Sequence, residues 1–310
     1  MLGNAVSITQ SRFSLVYKTM LYTLIVVFVL SALMVGVLSP LLSPFFNDMR
    51  EVEFWADSRE LIVSVISGAD SEVIAQNYEQ FQANITRIGE IIGDHMSRFW
   101  WSAALIIVFI FLIIFATSLA HFPQSDVLFN FMNSNSKFGF TANLFSNMRQ
   151  SLRYAGFNVA ATVINSFLLV GVMLFSFFVV GMLSVFLVLP FYVIVSVFLF
   201  AVKNSFLQRW LPAMVVGKKR AWDALKESLV YGKRNFKTLL GLYFAVHLLL
   251  FAFHLMITLF TFGIGLLFTL AVERVLLRSL ELVNYHKSEG MKFYTQPVEF
   301  RREEKADDEE

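Results

Sequence analysis

The chain has 310 residues, 57% of them hydrophobic and only 15% charged, with 35 phenylalanines and a net charge of +2. Soluble domains carry about 25% charged residues, so the composition points to a polytopic membrane protein, and nothing in the charge balance calls for nucleic acid. Cysteine is absent, which excludes disulfides, Cys-ligated metals, haem attachment through Cys and thiol catalysis.

A helix crosses the roughly 30 Å hydrocarbon core with about 20 apolar residues. Residues 20–38 form the first such run, preceded by only two basic residues, Arg12 and Lys18. Its apolar core exceeds the roughly 7–15 residues of a cleaved signal, so it reads as a retained signal anchor.

Residues 39–99 hold four basic residues against ten acids. Met49, Val52, Trp55, Ile62 and Ile66 mark a helix over 44–67, with Pro44 in its first turn and a turn back at Gly68-Ala-Asp70. Ile74, Tyr78, Phe81, Ile85, Ile88, Ile92 and Met96 then form one apolar stripe at helical spacing. Asp70 or Ser71 can cap this helix. With no proline ahead of the next run, it is expected to continue to about residue 120, for about 75 Å. The pair predicts an extracytoplasmic helical hairpin. Either it closes on itself, or it offers Tyr78, Phe81, Ile85 and Ile88 to an extracytoplasmic protein partner or a second copy. Gly89 and Gly93 permit close helix approach, and Asn84-Ile-Thr86 is a glycosylation sequon that matters only in a eukaryotic host.

The second apolar run covers 100–120. The loop after it, 121–156, carries Lys137, Arg149 and Arg153 against Asp126 alone. From 157 to 202 no charge occurs, and one helix of that length would reach about 69 Å. The run must therefore fold back, most simply near Gly181-Met-Leu-Ser184. Nine basic residues and two acids fill 203–237, and 238–271 makes two further crossings that turn near Thr261-Phe-Gly-Ile-Gly265.

These elements give an all-α fold of six transmembrane helices arranged as three hairpins. The positive-inside rule puts both termini in the cytoplasm and 39–99 outside. The expected division is 1–40 (N-terminus and first span), 41–99 (outer hairpin), 100–285 (five further spans with basic inner helices) and 286–310 (charged tail). Ser14-Leu-Val-Tyr17, Ser151-Leu-Arg-Tyr154 and Ser228-Leu-Val-Tyr231 each precede an outward span. They stand either as remnants of one repeated hairpin or as chance in a biased composition.

Trp222, Leu225 and Leu229 share a helix face, with Lys218, Lys219, Arg220, Lys226, Lys233 and Arg234 crowded around it. Such a helix can lie in the interface with its cations over anionic headgroups, each contributing about 1 kcal/mol. Membrane lipids, anionic ones above all, are the expected partner, although topology alone also makes inner loops basic.

Few residues suit chemistry. Glu273, Arg274 and Arg278 fall in the last span, and His247 and His254, seven apart on the preceding one, are expected at similar depth. Ionisable residues within a bilayer usually face the bundle interior and mark a pathway. Asn158 and Asn165 share one face of the third span and could join them. The plainer alternative has the arginines snorkelling to the inner headgroups with Glu273 as their partner. The five histidines include no H-E-x-x-H, and no G-x-S-x-G or Walker loop occurs, so no enzyme, metal or cofactor is expected.

The stretches Trp210-Leu-Pro-Ala213, Ala224-Leu-Lys-Glu-Ser228 and Lys233-Arg-Asn-Phe236 resemble a basic segment found before the final helical pair in uncharacterised six-span membrane proteins of Gram-positive bacteria. More distantly they resemble the membrane domain fused to glycerophosphodiester phosphodiesterases. The resemblance covers about the last hundred residues. These residues supply nothing of that family's acidic metal-binding barrel, and no catalytic residue carries over. What the resemblance implies is a bacterial cytoplasmic membrane setting. The leading expectation for function is a non-enzymatic accessory or scaffold protein that binds lipid or a protein partner. Its rival is a transporter or permease built on the charged cluster of the last two helices.

Overall fold

A computed structural model describes residues 1–134 and 139–292. The described residues are almost wholly α-helical, with no strand among them. In chain order the helices are α1 (Leu2–Ser11), α2 (Phe13–Arg50), α3 (Phe54–Ser67), α4 (Ser71–Asp94), α5 (Met96–Leu119), α6 (His121–Ser134), α7 (Phe140–Ser146), α8 (Met148–Phe175), α9 (Gly181–Leu183), α10 (Val185–Leu207), α11 (Trp210–Val215), α12 (Ala221–Arg234), α13 (Phe236–Phe260) and α14 (Leu266–Ser288). Five stretches are long and apolar enough to cross a membrane: Phe13–Ser67, Met96–Asn133, Met148–Val180, Val185–Val215 and Phe236–Phe260. The chain is thus an all-α, multi-pass membrane protein. The helix α14, expected as a sixth span, is not among the five, because Glu273, Arg274, Arg278 and Glu281 interrupt its apolar run.

Two compact units can be described. The first holds residues up to Val26 and those from Ile114 onward. Its centre is α14, which contributes Val275 and Leu282 to one buried cluster, Tyr285 to a second, and Leu276 and Leu280 to a third. The four charges of α14 have polar partners within the unit: Glu273 with His254, Arg274 with Thr23, and Arg278 with Glu281. The helix α1 was not anticipated from the sequence, yet it buries Ala5, Ile8 and Thr9, and Thr9 Oγ1 donates to Ser279 Oγ of α14 at 3.2 Å. The stretch 121–134 departs from the expected loop. It is the helix α6, with Phe122, Gln124, Ser125, Val127, Leu128 and Met132 all buried, and Gln124 Nε2 donates to Thr19 Oγ1 at 3.0 Å.

The helices break at both places where the sequence expects a reversal. Ser184, with φ −166° and ψ 126°, separates α9 from α10, and α8 packs on α10. Thr261–Gly265 separates α13 from α14, and Gly263 takes φ +90°, a conformation open to glycine without strain. The helix α12 docks through small residues, Ala221, Ala224, Ser228 and Gly232. A Cβ on Gly232 would stand 2.7 Å from the Ser205 carbonyl oxygen, so only glycine allows this approach. Ser228 Oγ donates to the Phe206 carbonyl at 2.7 Å and accepts from Arg209 N–H at 3.1 Å. The Trp-x-Pro-Ala and Ala-x-Lys-x-Ser stretches are therefore packing motifs, with Trp210 fully buried and its Nε1 donating to the Ala221 carbonyl at 2.9 Å.

The three Ser-Leu-x-Tyr copies do not occupy equivalent positions. In the second and third the serine is buried and the leucine exposed. In the first, Ser14 is exposed and Leu15 buried, and the third copy lies within α12 rather than at the start of a long apolar helix.

The second unit is Val27–Ile113. Here α3 and α4 pack as a hairpin joined by Gly68 (φ +66°). Three expectations fail. Pro44 does not open a helix: α2 runs through both Pro40 and Pro44 to Arg50, and the next helix starts at Phe54. A proline inside a helix removes one backbone donor and crowds the preceding turn, but two of them four residues apart confine that loss to one side. The long outer helix is also broken, at His95. The buried His95 ring donates from Nε2 to Asp48 Oδ2 at 2.7 Å and accepts from Arg98 Nη1 at 3.0 Å. Finally, Gly89 and Gly93 face open space, so no close approach uses them.

The more buried face of α4 is Ile74, Asn77, Phe81, Asn84, Ile88 and Ile91, of which Phe81 and Asn84 meet α3. Tyr78 and Ile85, expected beside Phe81 and Ile88, are instead 51% and 48% exposed. The cause is Asp57, buried on α3, whose carboxylate accepts from Asn84 Nδ2 and from Gln80 Nε2 at 3.4 Å. Satisfying that buried carboxylate turns polar residues of α4 inward.

Candidate functional site

A cleft of about 550 Å³ in the first unit is walled mainly by apolar residues of α8, α10, α13 and α14, among them Leu169, Val193, Phe200, Leu250 and Leu270. Five polar side chains enter it: Tyr192, Ser196, His247, His254 and Glu273. Helical spacing explains the convergence. His247 and His254 are two turns apart on α13, and Glu273 stands opposite on α14, about 12 Å from the Thr261–Gly265 turn at 1.5 Å per residue.

His254 Nε2 donates to Glu273 Oε2 at 2.9 Å, and His247 Nδ1 lies 3.8 Å from Glu273 Oε1. Asn204 Nδ2 donates to His247 Nε2 at 2.7 Å. That bond fixes the His247 tautomer, leaving its ring proton on Nδ1, toward the carboxylate. Both imidazoles therefore turn a donor to Glu273. His254 Nδ1 and Ser196 Oγ are buried with no hydrogen-bond partner. Buried polar atoms are rarely left so, and these two belong to residues of the same cleft wall. Among the described residues, no group of three or more His, Cys, Asp and Glu is placed to hold a metal ion.

The arginines of the expected cluster point elsewhere. Arg274 Nη1 donates to Thr23 Oγ1 at 2.9 Å. Arg278 Nη1 donates to Glu281 Oε2 at 2.5 Å, one turn along α14, and Arg278 is also hydrogen-bonded to Tyr154. The sequence cluster thus divides into an imidazole–carboxylate group on the cleft and a separate buried ion pair. Sequence reasoning missed Asn204, which holds His247, and Ser196 at the cleft, and Lys203 and Tyr243 near the ion pair. It also missed Gln208, whose Oε1 accepts from Tyr243 at 3.3 Å and from Asn284. The i, i+3 series Arg278, Glu281, Asn284 on α14 was the available signal. Asn158 is buried and donates to Ser118 Oγ at 2.8 Å, and Asn165 is buried on the same helix, but neither lines the cleft.

On α12 the large apolar residues Trp222 and Leu229 are exposed, and so are Lys226, Lys233 and Arg234, together with Lys218, Lys219 and Arg220 just before it. Lys226 Nζ stands 5.3 Å over the Trp222 ring. Lys219 donates to Glu227 Oε2 at 2.5 Å, which holds its ammonium above the usual lysine range. Arg209, by contrast, is buried between the rings of Tyr231 and Tyr285 at 4.3 and 4.7 Å and paired with Glu227 and Glu289, so it belongs to the packing. Compared with protein-family models, curated protein sequences and solved structures, the chain matches none.

Proposed function

We propose that the chain is a non-enzymatic six-span carrier, with both termini in the cytoplasm, whose cleft receives a small, largely apolar molecule bearing a positive charge. One observation carries this reading. Glu273 makes its close contacts with two histidines on an apolar wall, not with the arginine next to it in sequence. Two imidazole N–H groups steady the carboxylate in place of a fixed cation such as arginine, so the cleft suits a cationic ligand. Competition between such a ligand and a proton at one group is how a bilayer-embedded acid couples a substrate to protons. The open atoms of His254 and Ser196 supply hydrogen bonds to the ligand's polar end. The charges of α14 are compatible with counting it as the sixth span, since each has a polar partner within the unit.

The test is uptake of tetraphenylphosphonium and ethidium into proteoliposomes under an imposed pH gradient. Wild type should accumulate at least one of them. Glu273→Gln should abolish gradient-dependent uptake and His254→Ala should weaken it. Equal uptake by wild type and Glu273→Gln overturns the reading.

A separate observation favours the accessory-protein reading as a second one. Trp55 and Ile66 on α3 are 82% and 81% exposed, and Tyr78 and Ile85 on α4 are also turned outward. A partner at this surface should be lost on Tyr78→Glu or Ile85→Glu, with Phe81→Glu instead disturbing the hairpin itself.

A further inference from the structure

A second recess, of about 610 Å³, opens between the start of α8 and the start of α12, on a side of the first unit that the carrier reading does not use. Arg149 and Arg153, one turn apart on α8, and Arg220, which immediately precedes α12, line it with Phe157, Ala221 and Trp222. No acidic residue lines the recess, and none of the three arginines is in a salt bridge among the described residues.

Three features act together here. The guanidinium groups come from two elements and each can offer a planar fork of donors suited to phosphate. The recess adjoins the first turns of two helices, neither of which has a side-chain cap. Uncapped first-turn N–H groups and the positive helix end both favour an anion. The third wall is aromatic: the Phe157 and Trp222 rings stack at 5.8 Å with an angle of 28° between planes. Both rings are partly exposed, and Leu152, beside Arg153, is exposed as well. Phosphate-binding cations beside an exposed apolar and aromatic wall match a ligand with an anionic head and a hydrocarbon body.

We propose that this recess binds the phosphate group of an anionic lipid, with Arg149, Arg153 and Arg220 on the headgroup and Phe157 and Trp222 against the start of the acyl region. This differs from diffuse attraction by the basic helix, because Lys226, Lys233 and Arg234 lie outside the recess. A soluble phosphate shares the head chemistry but would leave the aromatic wall unused.

The test is native mass spectrometry of the full chain in a zwitterionic detergent. Retention of phosphatidylglycerol and phosphatidylcholine is compared for wild type, for Arg149→Gln/Arg153→Gln/Arg220→Gln, and for the control Lys233→Gln/Arg234→Gln. Wild type should hold one phosphatidylglycerol in preference to phosphatidylcholine, and retention should fall about tenfold or more in the recess variant. The control variant should stay near wild type. If the triple variant is not monodisperse, Arg153→Gln alone is measured, with a fall of about threefold expected. Displacement by millimolar inorganic phosphate, with no preference among lipids and no effect of Trp222→Ala, assigns the recess to a soluble phosphate instead of a lipid. Unchanged retention in the recess variants, or an equal fall in the control, overturns the site.

Discussion

The bundle around α14 and the α3–α4 hairpin solve the problem of buried polar groups in opposite ways. In the bundle, polar side chains are islands within three apolar clusters: Arg278 with Glu281, Gln208 with Asn284 and Tyr243. In the hairpin, polar groups sit inside the seam beside apolar ones. No residue of α4 is buried, and Asp57, Asn84 and Gln80 occupy the contact while Trp55, Ile66, Tyr78 and Ile85 face outward. The bundle has apolar burial to spare, so its charges can be tied to geometry and function. The hairpin combines a few hydrogen bonds with the Phe54–Phe81 ring contact, centroids 5.6 Å apart, and with half-buried isoleucines of α4.

That contrast can be broken at four places, in descending order of effect. Glu281→Ala strands the buried Arg278 charge and should destabilise the bundle by about 3–5 kcal/mol, read as lost monodispersity after mild heating in detergent. Gly232→Ala forces a methyl group against the Ser205 carbonyl. It should cost about 1–3 kcal/mol and release α12, seen as faster hydrogen exchange over 221–234. Asp57→Ala should cost about 1 kcal/mol, with faster exchange confined to 54–94 and none in α14. Tyr78→Ser and Ile85→Ser, on the exposed row, should move stability by less than about 0.5 kcal/mol. A large loss from either would mean that the outward face is already packed against something.

Legibility from sequence followed the same divide. The helix breaks at Ser184 and at Thr261–Gly265 were readable because an uncharged run of that length is too long for one crossing, and polar or glycine residues mark where the helix ends. His247, His254 and Glu273 were readable as neighbours because helical spacing fixes both their face and their depth. The partners Asn204 and Lys203 were not, since polar residues at the end of an apolar run look interfacial whether they point inward or out. The helix α6 was misread as a loop because Gln124 and Ser125, though buried, dilute its apolar pattern. On α4, the stripe through Tyr78 and Ile85 follows the apolar residues, but the more buried face follows Asn77 and Asn84, which no hydrophobic period can show. The tail expected over 286–310 lies, beyond residue 292, outside the described residues.

The absence of cysteine makes one measurement unusually direct. Single cysteines at Ser196, inside the cleft, and at Phe262, on the α13–α14 turn, can be treated with a membrane-impermeant thiol reagent in intact membranes. If the cleft is a hydrated carrier site, Ser196→Cys reacts, and a lipophilic cation protects it while leaving Phe262→Cys unaffected. Labelling of Phe262→Cys with none at Ser196→Cys from either side of the membrane would mean that the cleft is closed to water, and would contradict a carrier.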